Sequence, residues 1–286
     1  MRESFQSGRI GVPVSVPSRS LPSAPLVRPG GEHDPDAFAA DAGGWTLAAV
    51  CEKAGMGANG LVAKGFFQDI TAPYGTIEAW FYDHFIAPAV ASLFEAQAGP
   101  QIEAIPSNGH VLDVGCGGGH ELAILAERRP DLRLWGIDRS AAQVVRARGR
   151  LGRFGKQVEI QEGDALALPF GDDRFDLVMS SGSIKHWPDP AKGLAECVRV
   201  LRSGGRLIIA EADRGCRHDD AVAFVKRWRT PSFAKRFDLM FFRTWVAGRS
   251  LDRDELLRHV DGLRLRDVRV DRLEGLPVLR LDGVKV

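Results

Sequence analysis

The stretch His110-Val111-Leu112-Asp113-Val114-Gly115-Cys116-Gly117-Gly118-Gly119-His120-Glu121 sets the frame for the whole chain. A short apolar run passes directly into a glycine-rich turn, and a helical pattern follows. Glycines allow a ligand to approach the main chain closely, and the start of a helix offers free N–H groups to an anion. A dinucleotide-binding GxGxxG turn would look similar. That pattern needs glycine at position 120, where His120 stands instead, which disfavours a nicotinamide-dependent oxidoreductase.

Outward from this turn, strand-like runs recur at Leu132–Ile137, Val158–Gln161, Phe175–Ser180 and Arg206–Ala210. Helical stretches separate them near 119–129, 140–151 and 190–202, an alternation that signals βαβ units on a parallel sheet. A further helix starts near Leu251. The C-terminal residues alternate apolar and polar around Glu274-Gly275, which predicts an antiparallel hairpin closing the sheet. Between Asp213 and Ser250 lies a stretch rich in Phe and Trp, read as a lid insertion at about 214–250. On the N-terminal side, 45–107 reads as a helical cap, with Thr76–Ala98 carrying Trp80, Phe81, Phe85, Ile86, Val90 and Leu93 at helical spacing. Residues 1–44, rich in Pro, Ser, Gly and Arg, read as a disordered leader.

Composition narrows the function classes. The 286 residues are 44% hydrophobic and carry a formal net charge of +1, so no strongly basic nucleic-acid footprint is expected. No apolar run approaches the roughly 18–20 residues of a membrane span. Cys51, Cys116, Cys197 and Cys216 are scattered, as expected of reduced thiols in a cytoplasmic protein.

Two acids fall at informative places. Gly136-Ile137-Asp138 ends the second strand beside the glycine turn, where a carboxylate can accept hydrogen bonds from ribose hydroxyls. Gly163-Asp164-Ala165 follows the third strand, in a position that suits an adenine amine. Together with Asp113, Leu168-Pro169-Phe170, Phe175-Asp176-Leu177-Val178, Ser183 to Pro190, Glu196 to Leu201 and Ser203 to Leu207, this set resembles the class I S-adenosylmethionine-dependent methyltransferases. Within that family it is similar to the ubiquinone/menaquinone-biosynthesis type of small-molecule methyltransferase, over about residues 105–213.

The resemblance implies an α/β, Rossmann-like fold with a seven-stranded, mostly parallel sheet of order 3-2-1-4-5-7-6, its last strand antiparallel. It implies S-adenosyl-L-methionine as cofactor. Gly115, Gly117 and Gly119 would cradle its methionine end, with Asp113 shaping the loop. Asp138 would bind the ribose, Arg139 would lie over the adenine, Asp164 and Ala165 would read the adenine edge, and Ser181 would line the pocket near the sulfonium.

Methyl transfer is an in-line displacement, so the protein mainly aligns the nucleophile and excludes water. His186, after the fourth strand, is the first candidate for a general base. Tyr82, in the cluster Tyr82-Asp83-His84, is the second. Phe224, Trp228, Phe237 and Phe241 are expected to line the substrate site. A metal site at His218-Asp219-Asp220 is not expected. The partner expected is a small-molecule methyl acceptor, with the chain a monomer or homodimer. Two rival readings remain at this point: an arsenite-type methyltransferase, which needs several thiolates, and a non-catalytic cofactor-binding regulator.

Overall fold

Alternating apolar residues in β1 (His110–Val114) send Val111 to one face of the sheet and Leu112 and Val114 to the other. In β4 (Phe175–Ser181), Leu177 and Met179 join Val111, while Phe175 and Val178 join Leu112. Both faces are thus apolar, as a parallel sheet covered by helices on two sides requires. The computed structural model describes Ile86–Pro88, Val90, Phe94 and residues 102–286 apart from Pro231. The leader 1–44, most of the expected cap and Tyr82 lie outside the described residues.

With β2 (Arg133–Asp138), β3 (Val158–Glu162), β5 (Leu201–Ala212), β6 (Leu265–Arg272) and β7 (Val278–Lys285), the sheet has the order β3-β2-β1-β4-β5-β7-β6. The first five strands pair in parallel, and β7 runs antiparallel to both its neighbours. This is the sheet that the sequence implied. One boundary differs. β5 begins at Leu201 rather than Arg206, directly behind a helix, and its pairing with β4 breaks register between Phe175 and Leu177. The irregular residues fall at Ser203-Gly204-Gly205, where Gly204 has a φ of 77°.

Six helices are labelled among the described residues: α1 (His120–Arg128), α2 (Ala141–Leu151), α3 (Pro190–Val200), α4 (His218–Val225), α5 (Lys235–Phe241) and α6 (Arg253–Val260). Leu122, Leu125, Val144 and Ala147 of α1 and α2 pack on the Val111 face. Leu194, Cys197, Leu256 and Val260 of α3 and α6 pack on the Leu112 face. Side-chain caps start these helices where the sequence supplies them. Ser140 accepts from Gln143 N, Asp189 accepts from Lys192 N, and Asp252 with Glu255 forms a reciprocal capping box. Each such cap is worth about 1 kcal/mol.

The aromatic insertion has a core of its own. α4, α5 and a π-helical turn over Phe242–Ala247 bury Phe224, Trp228 and Phe242 together with Ile86 and Ala221. No helix among the described residues is long and apolar enough to cross a membrane.

Candidate active site

The sheet order reverses between β1 and β4, and in such sheets ligands bind outside the carboxyl ends of the strands at that point. Here the backbone builds the cleft first. Gly115 N and Cys116 N both donate to Ile137 O, at 2.8 and 2.9 Å, which ties the end of β1 to β2. Gly117 N donates to Asp138 Oδ2 at 2.9 Å, and Ser140 N donates to Asp138 Oδ1 at 2.8 Å. One carboxylate therefore fixes both the glycine turn and the start of α2, and each of its oxygens keeps a further lone pair for a ligand.

Gly115 and Gly117 both take a positive φ, which glycine adopts without strain. Gly115 has a φ of 77°, and a Cβ there would sit 1.9 Å from Ser183 Oγ. Gly117 has a φ of 51°, and a Cβ there would meet nothing within 4 Å, because it would project into open space. Gly119 serves packing instead. Its Cβ would lie 2.6 Å from Leu151 Cδ1, so the glycine lets α1 approach α2.

The resulting cleft holds about 1010 Å³ of empty volume. Asp113, Gly115, Gly117, Asp138, Arg139, Ala165, Ser181 and His186 line it. Gly119 and Asp164 are not among its wall residues. Asp164 Oδ1 accepts from Leu166 N at 3.0 Å and so shapes the turn that presents Gly163 and Ala165. Below that turn, Glu196 accepts from Leu168 N at 2.8 Å, and Arg199 donates to Leu168 O and Phe170 O at 3.1 and 2.8 Å. The Leu168–Phe170 and Glu196–Leu201 motifs thus hold each other.

Sequence reasoning assigned no role to four lining residues, Gln143, Ser183, Trp187 and Glu121. Gln143 is buried at the cleft wall, and its Oε1 has no hydrogen-bond partner among the described residues. Trp187 Nε1 donates to Ser183 Oγ at 3.0 Å, fixing the hydroxyl behind Gly115. Glu121 on α1 is buried and accepts from Ser181 Oγ at 2.9 Å. It stands in the first turn of α1, where an acid also interacts favourably with the helix dipole.

Burial is the main force on the ionisable groups here. It pushes Asp113 well above the usual carboxylate range, with the nearby Glu121 and Asp138 adding to the effect, and it raises Asp138 despite its two backbone donors. Glu121 is pushed up to about 7 by burial, against the opposing hydrogen bond from Ser181. The thiols of Cys116 and Cys197 are buried and pushed upward, which is the reverse of what an arsenite-type thiolate set needs.

A second cavity, about 1020 Å³ of empty space counted out to its open mouth, lies beside the first, and the two share Val90, Glu121, Ser181 and Gly182 as wall residues. Its other walls are mostly apolar: Phe94, Ile102, Leu177, Met179, Ile208, Ala210, Phe224, Phe242 and Leu276 among them. Of the four aromatics expected to line a substrate site, Phe224 is in the wall of this cavity. Trp228 is buried in the insertion's own core, and Phe237, 39% exposed, stacks on Phe241 outside the cavity wall. Phe242 takes that place, one residue along, because helical spacing cannot say which face of an all-aromatic run turns inward. The cavity also contains a buried ion pair, Lys185 Nζ to Glu211 Oε1 at 2.9 Å.

A mostly parallel sheet with a glycine turn, an acid at the end of β2 and a buried Glu121 between the cleft and an adjacent apolar cavity is the arrangement that the resemblance to class I methyltransferases implied. The carboxyls and the open face of Gly117 fit S-adenosyl-L-methionine, whose sulfonium and ammonium are both cationic.

Comparison with known proteins agrees. Residues 112–209 match the family described as a methyltransferase domain. Methyltransferase GfsG of Streptomyces halstedii is 38% identical over 135 residues, 46% of this chain and 49% of that protein. The demethylmenaquinone methyltransferase of Deinococcus radiodurans is 39% identical over 101 residues, 35% of this chain and 42% of that protein. The chain spans about half the length of the curated relatives it matches. In fold, it is similar to an S-adenosylmethionine-dependent methyltransferase structure from Aquifex aeolicus, with a TM-score of 0.55, 18% identity and coverage of 74% of this chain and 100% of the other.

Proposed function

We propose that the protein transfers a methyl group from S-adenosyl-L-methionine to a small apolar or aromatic acceptor bound in the second cavity. The observation that carries this reading is the wall shared by the two cavities at Val90, Glu121, Ser181 and Gly182. Two ligands, one in each cavity, meet at those residues. The cofactor supplies an already activated methyl group, so alignment and exclusion of water are what the chain must add.

In this reading, Asp138 accepts from the ribose end, while Arg139 and the Gly163–Ala165 turn wall the adenine. Asp113, Gly115 and Gly117 hold the methionine end. The insertion and the helical residues Ile86, Val90 and Phe94 cover the acceptor, keeping water from the transfer step. His186 lines the cofactor cleft and is a candidate for taking a proton there, with Tyr82 as the other.

The test is S-adenosylhomocysteine formation by the full chain with a panel of phenols, hydroquinones and amines of matched size. Ala210→Leu, which fills the second cavity from β5, is expected to abolish turnover and leave cofactor affinity within about threefold. Cofactor binding with no turnover on any acceptor would favour the non-catalytic reading instead.

A further inference from the structure

Of the three carboxyls at the cofactor cleft, the buried Asp113 and the partly buried Asp138 line that cleft alone, whereas the buried Glu121 lines both cavities. Among the described residues, Ser181 is the one hydrogen-bond donor to Glu121, on Oε2, and no ion pair reaches it. The charged and titratable groups around it come from every packed element. Asp113 on β1 opposes a second negative charge at Glu121, and Asp138 at the end of β2 acts on Asp113 in the same way. Of the cations, Lys185 is committed to Glu211 and to Gly182 O, at 2.9 and 2.6 Å, and Arg280 pairs with Asp282 at 2.9 Å. His120, His186 and Arg139 lie on the cofactor side of the wall. A carboxylate at 121 therefore has a neighbour that opposes its charge and one hydroxyl that supports it.

We infer that Glu121 reads the charge on the cofactor's sulfur: uncharged in the ligand-free cleft, a carboxylate while a sulfonium is bound, and uncharged again when that charge has gone. The inference rests on the reading of the cleft as the cofactor site. Burial already holds the ligand-free group at about 7. An opposite charge within ~4–6 Å lowers a carboxyl pKa by about 1–3 units, enough to ionise Glu121 at neutral pH.

The same residue then defines the acceptor as one with a proton to give up, such as a hydroxyl. The sulfur–carbon bond breaks as the oxygen–carbon bond forms, sulfur keeps the electron pair, and the hydroxyl proton passes to Glu121. Positive charge on sulfur and negative charge on Glu121 disappear together, so neither is left uncompensated in the buried site. Product release then proceeds from a neutral pocket, and Glu121 returns its proton to solvent afterwards.

The test uses binding, not turnover. The full chain is titrated calorimetrically with S-adenosylmethionine and, separately, with S-adenosylhomocysteine, in buffers of different ionisation enthalpy between pH 5.5 and 8. S-adenosylmethionine is expected to release up to about one proton near pH 6–7, and S-adenosylhomocysteine close to none. The ratio of the two affinities should rise with pH by up to about tenfold per unit below pH ~7 and then level off, as one linked proton requires. Glu121→Gln should abolish the difference in proton release and flatten the ratio. Retained release in Glu121→Gln would assign the proton to Asp113 or Asp138 and overturn the inference, as would equal release by wild type with both ligands. If Glu121→Gln does not melt cooperatively, Ser181→Ala carries the test. It removes the hydrogen bond that favours the ionised form, so proton release should move to higher pH, and an unchanged profile would overturn the inference. Wild-type protein that binds neither ligand would instead refute the cofactor reading itself, and the inference with it.

Discussion

Replacing Lys185 with methionine should be among the most damaging single changes outside the apolar core. The Glu211 side chain is fully buried, and Lys185 is 9% exposed. The ammonium donates to Glu211 Oε1 at 2.9 Å and to Gly182 O at 2.6 Å. Methionine keeps the length and much of the volume of lysine but removes all three donors. Glu211 would retain only backbone donors, Ala212 N at 2.7 Å and Lys185 N at 3.3 Å. Leaving one member of a buried ion pair uncompensated costs about 3–5 kcal/mol, far above the roughly 0–1 kcal/mol of an exposed pair. Urea unfolding followed by tryptophan fluorescence at pH 7.5 should show that loss. The penalty should shrink at pH 5.5, because an unpaired buried carboxylate can be neutralised by a proton. Lys185→Met combined with Glu211→Leu should recover most of the stability, since apolar residues replace such pairs well. A single Lys185→Met variant within about 1 kcal/mol of wild type, or a penalty equal at the two pH values, would refute the argument.

Other outcomes follow from the same geometry. Asp138→Ala should weaken S-adenosylmethionine by roughly 1.5–3 kcal/mol in isothermal titration, the scale of hydrogen bonds to a charged group; unchanged affinity in a folded variant would remove Asp138 from the site. Glu121 is raised in the folded state to about 7 from an ordinary 4.5, so the folded chain binds the extra proton. Its favourable contribution is therefore complete below pH ~4.5 and is lost as the pH rises to ~7, a decline of up to about 3 kcal/mol. Thermal melts of ligand-free Glu121→Gln should lack that part of the slope and show a protein more stable than wild type at pH 8; parallel pH profiles for the two proteins would contradict it. For His186→Ala, less than a tenfold loss in kcat on a hydroxylated aromatic acceptor is expected if Glu121 takes the proton. A loss of about 10²- to 10⁴-fold would return His186 to the role of general base.

The sequence by itself determined the sheet, its strand order through the family resemblance, and the cofactor turn. These rest on local signals: period-two apolar runs, glycines that only a tight turn needs, and acids at strand ends next to them. Asp138 was legible because its position at the end of β2 fixes where its carboxylate lies, whatever packs elsewhere. The second cavity and its wall were not legible, since they join residues from α1, β4, β5, β7 and the insertion, which are far apart in sequence. Glu121 looked like any acid in the first turn of a helix, and only the meeting of α1 with Ser181, 60 residues on, turns it into a buried group between two sites. Lys185 and Glu211 likewise became a pair only when β5 paired with β4 and brought their ends together. In the 224–245 stretch, the abundance of aromatics predicted burial but not direction. Phe242 and Phe224 face the cavity while Trp228 fills the insertion's own core, a choice made by the packing of α4, α5 and the π-helical turn against one another. Local periodicity encodes which residues leave water; tertiary packing decides which neighbour each one meets, and the chemistry of this site depends on those neighbours.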